Sequence, residues 1–338
     1  MSLRCLPIFL LAGACFGETF DDAALRLLPP DAAVLAGVEW RKLINAPSSE
    51  ALRDRLQQTG ISFPMLAELE KALREKVETI LVAAPARAFS TAGPGTPILV
   101  IVKGRFDEGG EWMQGRSEWH RKIRLVAPKN MKPPTMRMAR LDANWLLFGD
   151  RREVMAAIDR RAGSVSLRPS SGLLARAAEV AARSEVWLAM DVPAKGLPTG
   201  DRAEAQILSQ LAGLEAGLSL SGGLRLEANL RAKSEPDAAA LATTLQTLAA
   251  MEAQSQSPDS ERGTLLRNLK LAREHSSVSL SISLSPSELT ALSAGPPQTR
   301  AAAASSDARP AARPAAPAPP RKIRIVGLDQ GLVEIPVR

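Results

Sequence analysis

The chain has 338 residues with 43 Lys and Arg against 36 Asp and Glu, giving a formal charge of +7, and it contains no tyrosine, two cysteines and two histidines. Both cysteines, Cys5 and Cys15, lie at the N-terminus, so a chain processed after residue 17 forms no internal disulfide and must rely on a large core. No stretch after the N-terminus reaches the ~20 apolar residues of a membrane helix, and the modest positive charge makes nucleic acid an improbable partner for an exported protein.

Residues 1–17 combine Arg4, an apolar run from Cys5 to Ala14 and a small-residue exit before Glu18. This is the layout of a secretory signal peptide, too short for a permanent span. The expected location is periplasmic or extracellular. Cleavage falls after Ala14 or after Gly17, or Cys15 becomes a lipidated N-terminus that anchors the chain, although Ala12 stands where lipoprotein signals carry leucine.

Residues 31–40 (DAAVLAGVEW) predict a strand. Ser48, Ser49 and Glu50 with Leu52 and Leu56 predict a capped helix, and Pro64 with Leu66, Leu69 and Leu73 a second. Strands follow at 77–84 and 96–105, a short helix at 106–114, strands at 122–126 and 144–148, and a helix at 151–161. In that short helix Asp107, Glu108 and Glu111 read as a negative first turn. Residues 161–171 (RAGSVSLRPSS) read as a connection between halves.

The second half offers a strand at 184–192, a helix at 203–211, and a hairpin of 214–220 with 224–231 turning at Ser221, Gly222 and Gly223. A helix then starts at Glu235 and Pro236 with Leu241, Leu245 and Leu248 on one face. Further predictions are a helix at 261–273, a strand at 278–284 and a short helix at 286–292. The element order predicts an α+β fold: a tandem pair of ferredoxin-like (split βαβ) subdomains, residues 18–163 and 164–292, with mainly antiparallel sheet.

Residues 293–320 are dominated by Ala, Pro, Ser and Arg and read as a disordered linker. Residues 321–338 (RKIRIVGLDQGLVEIPVR) then alternate apolar and polar positions around a Gly turn, a β-hairpin pattern. A lone hairpin is barely stable in water, so Ile323, Ile325, Val333, Ile335 and Val337 are candidate docking residues, either onto the protein's own sheet or onto an envelope partner protein by strand addition.

Between residues 121 and 140 stand Arg121, Lys122, Arg124, Lys129, Lys132, Arg137 and Arg140 with no acidic residue among them. They form a candidate anion-binding stretch for anionic lipid or polysaccharide. Catalytic patterns are missing: His120 and His275 stand in no metal-binding spacing, Gly217–Ser221 lacks the closing glycine of a nucleophile elbow, and no phosphate loop occurs. No cofactor and no metal is expected. Trp145 and Trp187 read as core, while Trp112 and Trp119 flank a charged stretch and are expected to be buried as anchors.

The runs LLPPDAAVLAGVEWRKLINAP and WLLFGDRREVMAAIDR, with the later hairpin and helix, resemble uncharacterised exported bacterial proteins of the DUF3352-like kind. The resemblance spans most of residues 25–293 and implies no activity and no catalytic residues. The sequence therefore points to an exported, non-enzymatic binding or assembly protein of the cell envelope. The alternatives are a carboxylate hydrolase with its site between the halves and a binder of anionic lipid or polysaccharide.

Overall fold

The computed structural model describes residues 21–49, 76–90, 97–107, 113–128, 135–163, 168–193, 207–255, 261–293, 322–325 and 333–336. The expected signal peptide, the helices expected between 50 and 75 and the linker expected after 293 lie outside these residues. The chain divides into a unit ending at Pro297 and a C-terminal unit starting at Gln298.

The first unit is an α+β structure on one 12-stranded sheet. Its strands are β1 (Ala32–Val38), β2 (Val77–Pro85), β3 (Leu99–Gly104), β4 (Gly115–His120), β5 (Ile123–Pro128), β6 (Met136–Arg140), β7 (Trp145–Asp150), β8 (Val186–Asp191), β9 (Leu211–Ser219), β10 (Leu224–Ala232), β11 (Leu269–Glu274) and β12 (Ser277–Leu284). They run in the spatial order β11-β12-β10-β9-β8-β1-β2-β3-β7-β6-β5-β4. Every neighbouring pair is antiparallel. Most neighbours are consecutive in the chain, as in a meander. Three neighbouring pairs, β12–β10, β8–β1 and β3–β7, are non-consecutive, and a tandem ferredoxin-like pairing is not shown by this order.

The strands form where apolar and β-branched residues recur. In β1, Leu35 points into one core while Val34 and Ala36 are directed to the opposite face, as period-two alternation requires. One face carries the larger core: Leu35, Leu81, Leu99, Ile101, Leu125, Leu147 and Trp187 pack under three helices. These are α1 (Asp22–Leu27), α3 (Arg151–Ala162) and α4 (Ser171–Ala181), which bury Leu27, Ile158 and Leu173 respectively. The opposite face is covered at one end by α5 (Glu235–Ser255) over Leu230 and Val278, and elsewhere holds Val77, Val102, Phe106, Met138 and Leu146 beside α2 (Trp40–Asn45).

Helix starts follow local capping chemistry. The Asp150 carboxylate accepts from Arg152 N at 2.9 Å, and Ser170 Oγ accepts from Leu173 N at 3.2 Å. Before α7 (Pro286–Ser293), Ser285 and Glu288 form a reciprocal box: Glu288 Oε2 accepts from Ser285 N at 2.8 Å and Ser285 Oγ accepts from Glu288 N at 3.3 Å.

Five expectations need correction. β4 and β6 lie outside the predicted strands, since charged residues interrupt the apolar alternation of GRSEWH and MRMAR; Glu118 of β4 is paired by Arg137 of β6 and Arg151 of α3. The connection expected at 161–171 ends in α4, a helix over 171–181 that the predicted elements do not include. The helix expected at 261–273 stops as α6 (Glu261–Arg267), and β11 follows because Leu269 and Leu271 pair along β12. Phe106 is not helical: its N–H donates to Ala143 O at 2.7 Å, while residues 108–112 lie outside the described ones. Leu248 does not share the burial of Leu241, being 49% exposed where α5 runs past the sheet.

The turn between β9 and β10 uses Gly223 at φ +115°, where an added Cβ would meet Leu284 O at 2.2 Å. Glycine is therefore required there by both backbone and space. The C-terminal unit is a hairpin of β13 (Lys322–Ile325) and β14 (Val333–Pro336), with Ile323 opposite Ile335 and Ile325 opposite Val333.

Candidate functional site

Two surfaces of the first unit are candidates. The first is the β4–β5 hairpin at the end of the sheet. The second is a polar groove of about 780 Å³ over β9, β10 and β12, beside the C-terminal end of α4, whose Val180 lines it.

In the hairpin, β4 pairs with β5 on one side and with no strand on the other among the described residues. Trp119 lies directly opposite Arg124 and is 71% exposed, contrary to the expected burial. An edge strand alternates its side chains between two faces, and here Glu118 and His120 take the covered one. Trp119 is left on the other. The connecting residues Arg121 and Lys122 both adopt left-handed backbone, at φ 46° and 66°. A two-residue turn of this kind matches strand twist, but it favours Asn-Gly. Non-glycine residues held there cost on the order of 1–3 kcal/mol each.

The seven basic residues of the candidate stretch have different fates. Arg121 Nε donates to Asp159 of α3, which also bonds His120 Nε2 at 2.9 Å. Burial raises the Asp159 carboxyl, but the hydrogen bonds from His120 and Arg121 outweigh it and hold the group below the ordinary carboxylate range. Arg137 Nε donates to Glu118 at 2.8 Å, and Arg140 Nε donates to Phe106 O at 3.0 Å. Lys122 and Arg124 are exposed and have no ion-pair partner among the described residues. Lys129 and Lys132 lie outside them.

Glu118 anchors the hairpin to the body of the sheet. Arg151 donates to it through Nε at 2.8 Å and Nη2 at 2.7 Å. These bonds, opposed by slight burial and joined by the Arg137 bond, hold the Glu118 carboxyl at about 2 against an ordinary 4.5. A depressed carboxylate stabilises the fold above its unfolded value and loses that contribution as pH falls through the folded one. The acid limb of stability between pH 4.5 and about 2 is therefore expected to flatten in Glu118→Gln, checked by urea midpoints across that range.

The groove is lined by Arg183, Arg225, Glu227 and Asn229 beside Ser277, Ser279 and Ser281 of β12. Register sets these serines against Arg231, Asn229 and Glu227, so one strand face is short-chained and polar. Glu227 accepts from Arg225 and pairs with Arg183 at 3.2 Å, which satisfies both cations. At the groove's rim His275 is 92% exposed and lies 3.6 Å from Glu235. No group of three metal-ligating side chains occurs among the described residues.

A cavity of about 40 Å³ over β2, β3, β7 and β8 is lined by Asp21, Glu39, Lys103, Trp145 and Trp187, among others. Burial raises the Glu39 carboxyl, while a backbone bond from Ala23 lowers that of Asp21, so the two acids shift in opposite directions. Lys103 Nζ sits 5.7 Å from the Trp145 ring centre. Asp107 pairs with Lys76 at 2.6 Å, while Glu108 and Glu111 are outside the described residues.

The class so defined is an α+β protein on a single antiparallel sheet whose exposed edge strand carries an aromatic and cationic tip. The solved structure of crystal form I of TP0453 is similar, with a TM-score of 0.44 and 10% identity over 80% of this chain and 96% of that one. No family model matches the chain, so the DUF3352-like resemblance finds no support there, and no curated protein matches it. No described helix is long and apolar enough to cross a membrane.

Proposed function

We propose that the protein is an exported, non-enzymatic binding or assembly component of the bacterial cell envelope, with its C-terminal hairpin docking onto a partner protein. The observation that carries this reading is the hairpin's register. Ile323 stands opposite Ile335, Arg324 opposite Glu334 and Ile325 opposite Val333, so the apolar residues pair with one another in register. Each strand has four residues, too few for a two-stranded sheet to be stable in water without a covering surface. Strand addition to a partner supplies that cover and leaves backbone hydrogen bonds for affinity.

The linker expected at 293–320 gives a root-mean-square reach of about 30 Å. The reading includes the tandem organisation of residues 18–163 and 164–292, supported by the sheet order: β1–β7 and β8–β12 each form an unbroken run and meet at β1–β8. Periplasmic or extracellular location and processing at residue 17 or Cys15 belong to the same proposal.

The test is a cross-linked pull-down from the native envelope with four chains: the full one, one ending at Pro320, the double variant Ile323→Asp/Ile335→Asp, and Arg324→Ser at the intervening position. One protein captured by the full chain and Arg324→Ser, and lost from the other two, is the expected result. Equal capture by all four, or by none, would reject hairpin docking.

A further inference from the structure

The geometry points to a second contact of this protein, independent of the C-terminal hairpin: the β4–β5 tip is a docking surface for an anionic lipid bilayer. The occupant follows from charge and shape. Trp119 presents an indole at 71% exposure, the arrangement in which an amphipathic ring settles at a membrane interface. Beside it, Arg124 directly across the hairpin and Lys122 of the turn are exposed and without carboxylate partners among the described residues, so the tip complements a plane of negative headgroups.

Two features favour a lipid surface over other occupants. A second copy of the chain pairing edge to edge along β4 would leave the exposed Trp119, Lys122 and Arg124 outside the new strand ladder's backbone contacts. A protein partner of ordinary affinity needs a wider apolar patch than one indole. The turn itself supplies an independent argument. Arg121 and Lys122 take positive φ where Asn and Gly fit without strain, so the backbone here trades stability for cations at the tip.

That trade makes the proposal testable with stability and binding read separately. The protein as recovered from expressing cells is mixed with vesicles of equimolar phosphatidylglycerol and phosphatidylcholine, or of phosphatidylcholine alone, and sedimented. Binding to the anionic vesicles alone, weakening with salt, is expected. Lys122→Gly should reduce it about fivefold at low salt, while raising or preserving the melting temperature because glycine relaxes the turn. Trp119→Ala should reduce binding with no change in melting temperature. Retention of vesicle binding in both variants, or its absence in the parent, overturns the proposal. So does a loss seen with soluble dextran sulfate and not with vesicles, which would assign the tip to polysaccharide.

Discussion

Replacing Glu215 by alanine is expected to destabilise the fold by about 3–5 kcal/mol, the range for breaking a buried ion pair from one side. Glu215 stands on β9 with its side chain 6% exposed. It accepts from Arg231 Nε at 3.0 Å and Asn229 Nδ2 at 3.0 Å, and pairs with Arg176 Nε of α4 at 2.9 Å. Asp191 of β8 receives the other ends of both arginines, at 2.5 Å and 2.7 Å. Two guanidinium groups and two carboxylates thus join α4 to three adjacent strands. Without Glu215, Arg176 and Arg231 compete for one carboxylate in a partly dry site, and the penalty is that of desolvated charge. Urea unfolding should show a lowered midpoint at unchanged slope. A loss below about 1 kcal/mol would instead place the network with exposed pairs.

Gly37→Ala is expected to cost about 1–3 kcal/mol by overpacking. The register sets Gly37 directly across from Trp187, and a Cβ built on Gly37 lies 2.4 Å from two carbons of the indole ring. The ring cannot swing away freely, since Trp187 is 3% exposed within the larger core. The strand cannot retreat either, because β1 is hydrogen-bonded on both sides, to β2 and β8. Adding Trp187→Leu should recover part of the loss, so the double-mutant cycle should show favourable coupling between the substitutions. Additive costs would mean that the backbone absorbs the methyl group.

The two sites differ in how far residue patterns foretold them. The apolar alternation of β1, β9 and β12 lies within a few positions along the chain, and these strands, with α3, α5 and α7, overlap the segments predicted for them. The C-terminal hairpin likewise pairs as its alternation predicts. Edge strands were harder. β4 is polar because one side meets solvent and the other meets arginines, so its pattern carries no apolar period. The basic stretch looked free of acids over twenty positions, yet Glu118 lies before it and Asp159 after it, and folding brings both against it. Only Trp119's charged neighbourhood hinted at an exposed contact.

By itself the sequence determined short-range chemistry: which strand segments alternate apolar residues, where α3, α5 and α7 start, and that a terminal hairpin follows a Pro- and Ala-rich stretch. Tertiary structure decided that both halves join in one sheet through β1 and β8, that Trp187 fills the space Gly37 leaves, and that, among the described residues, Lys122 and Arg124 have no ion-pair partner while Arg121 and Arg137 do. The reason is range. Periodicity and capping act over one or two turns, whereas strand neighbours and ion-pair partners are chosen by which distant surfaces exclude water from one another.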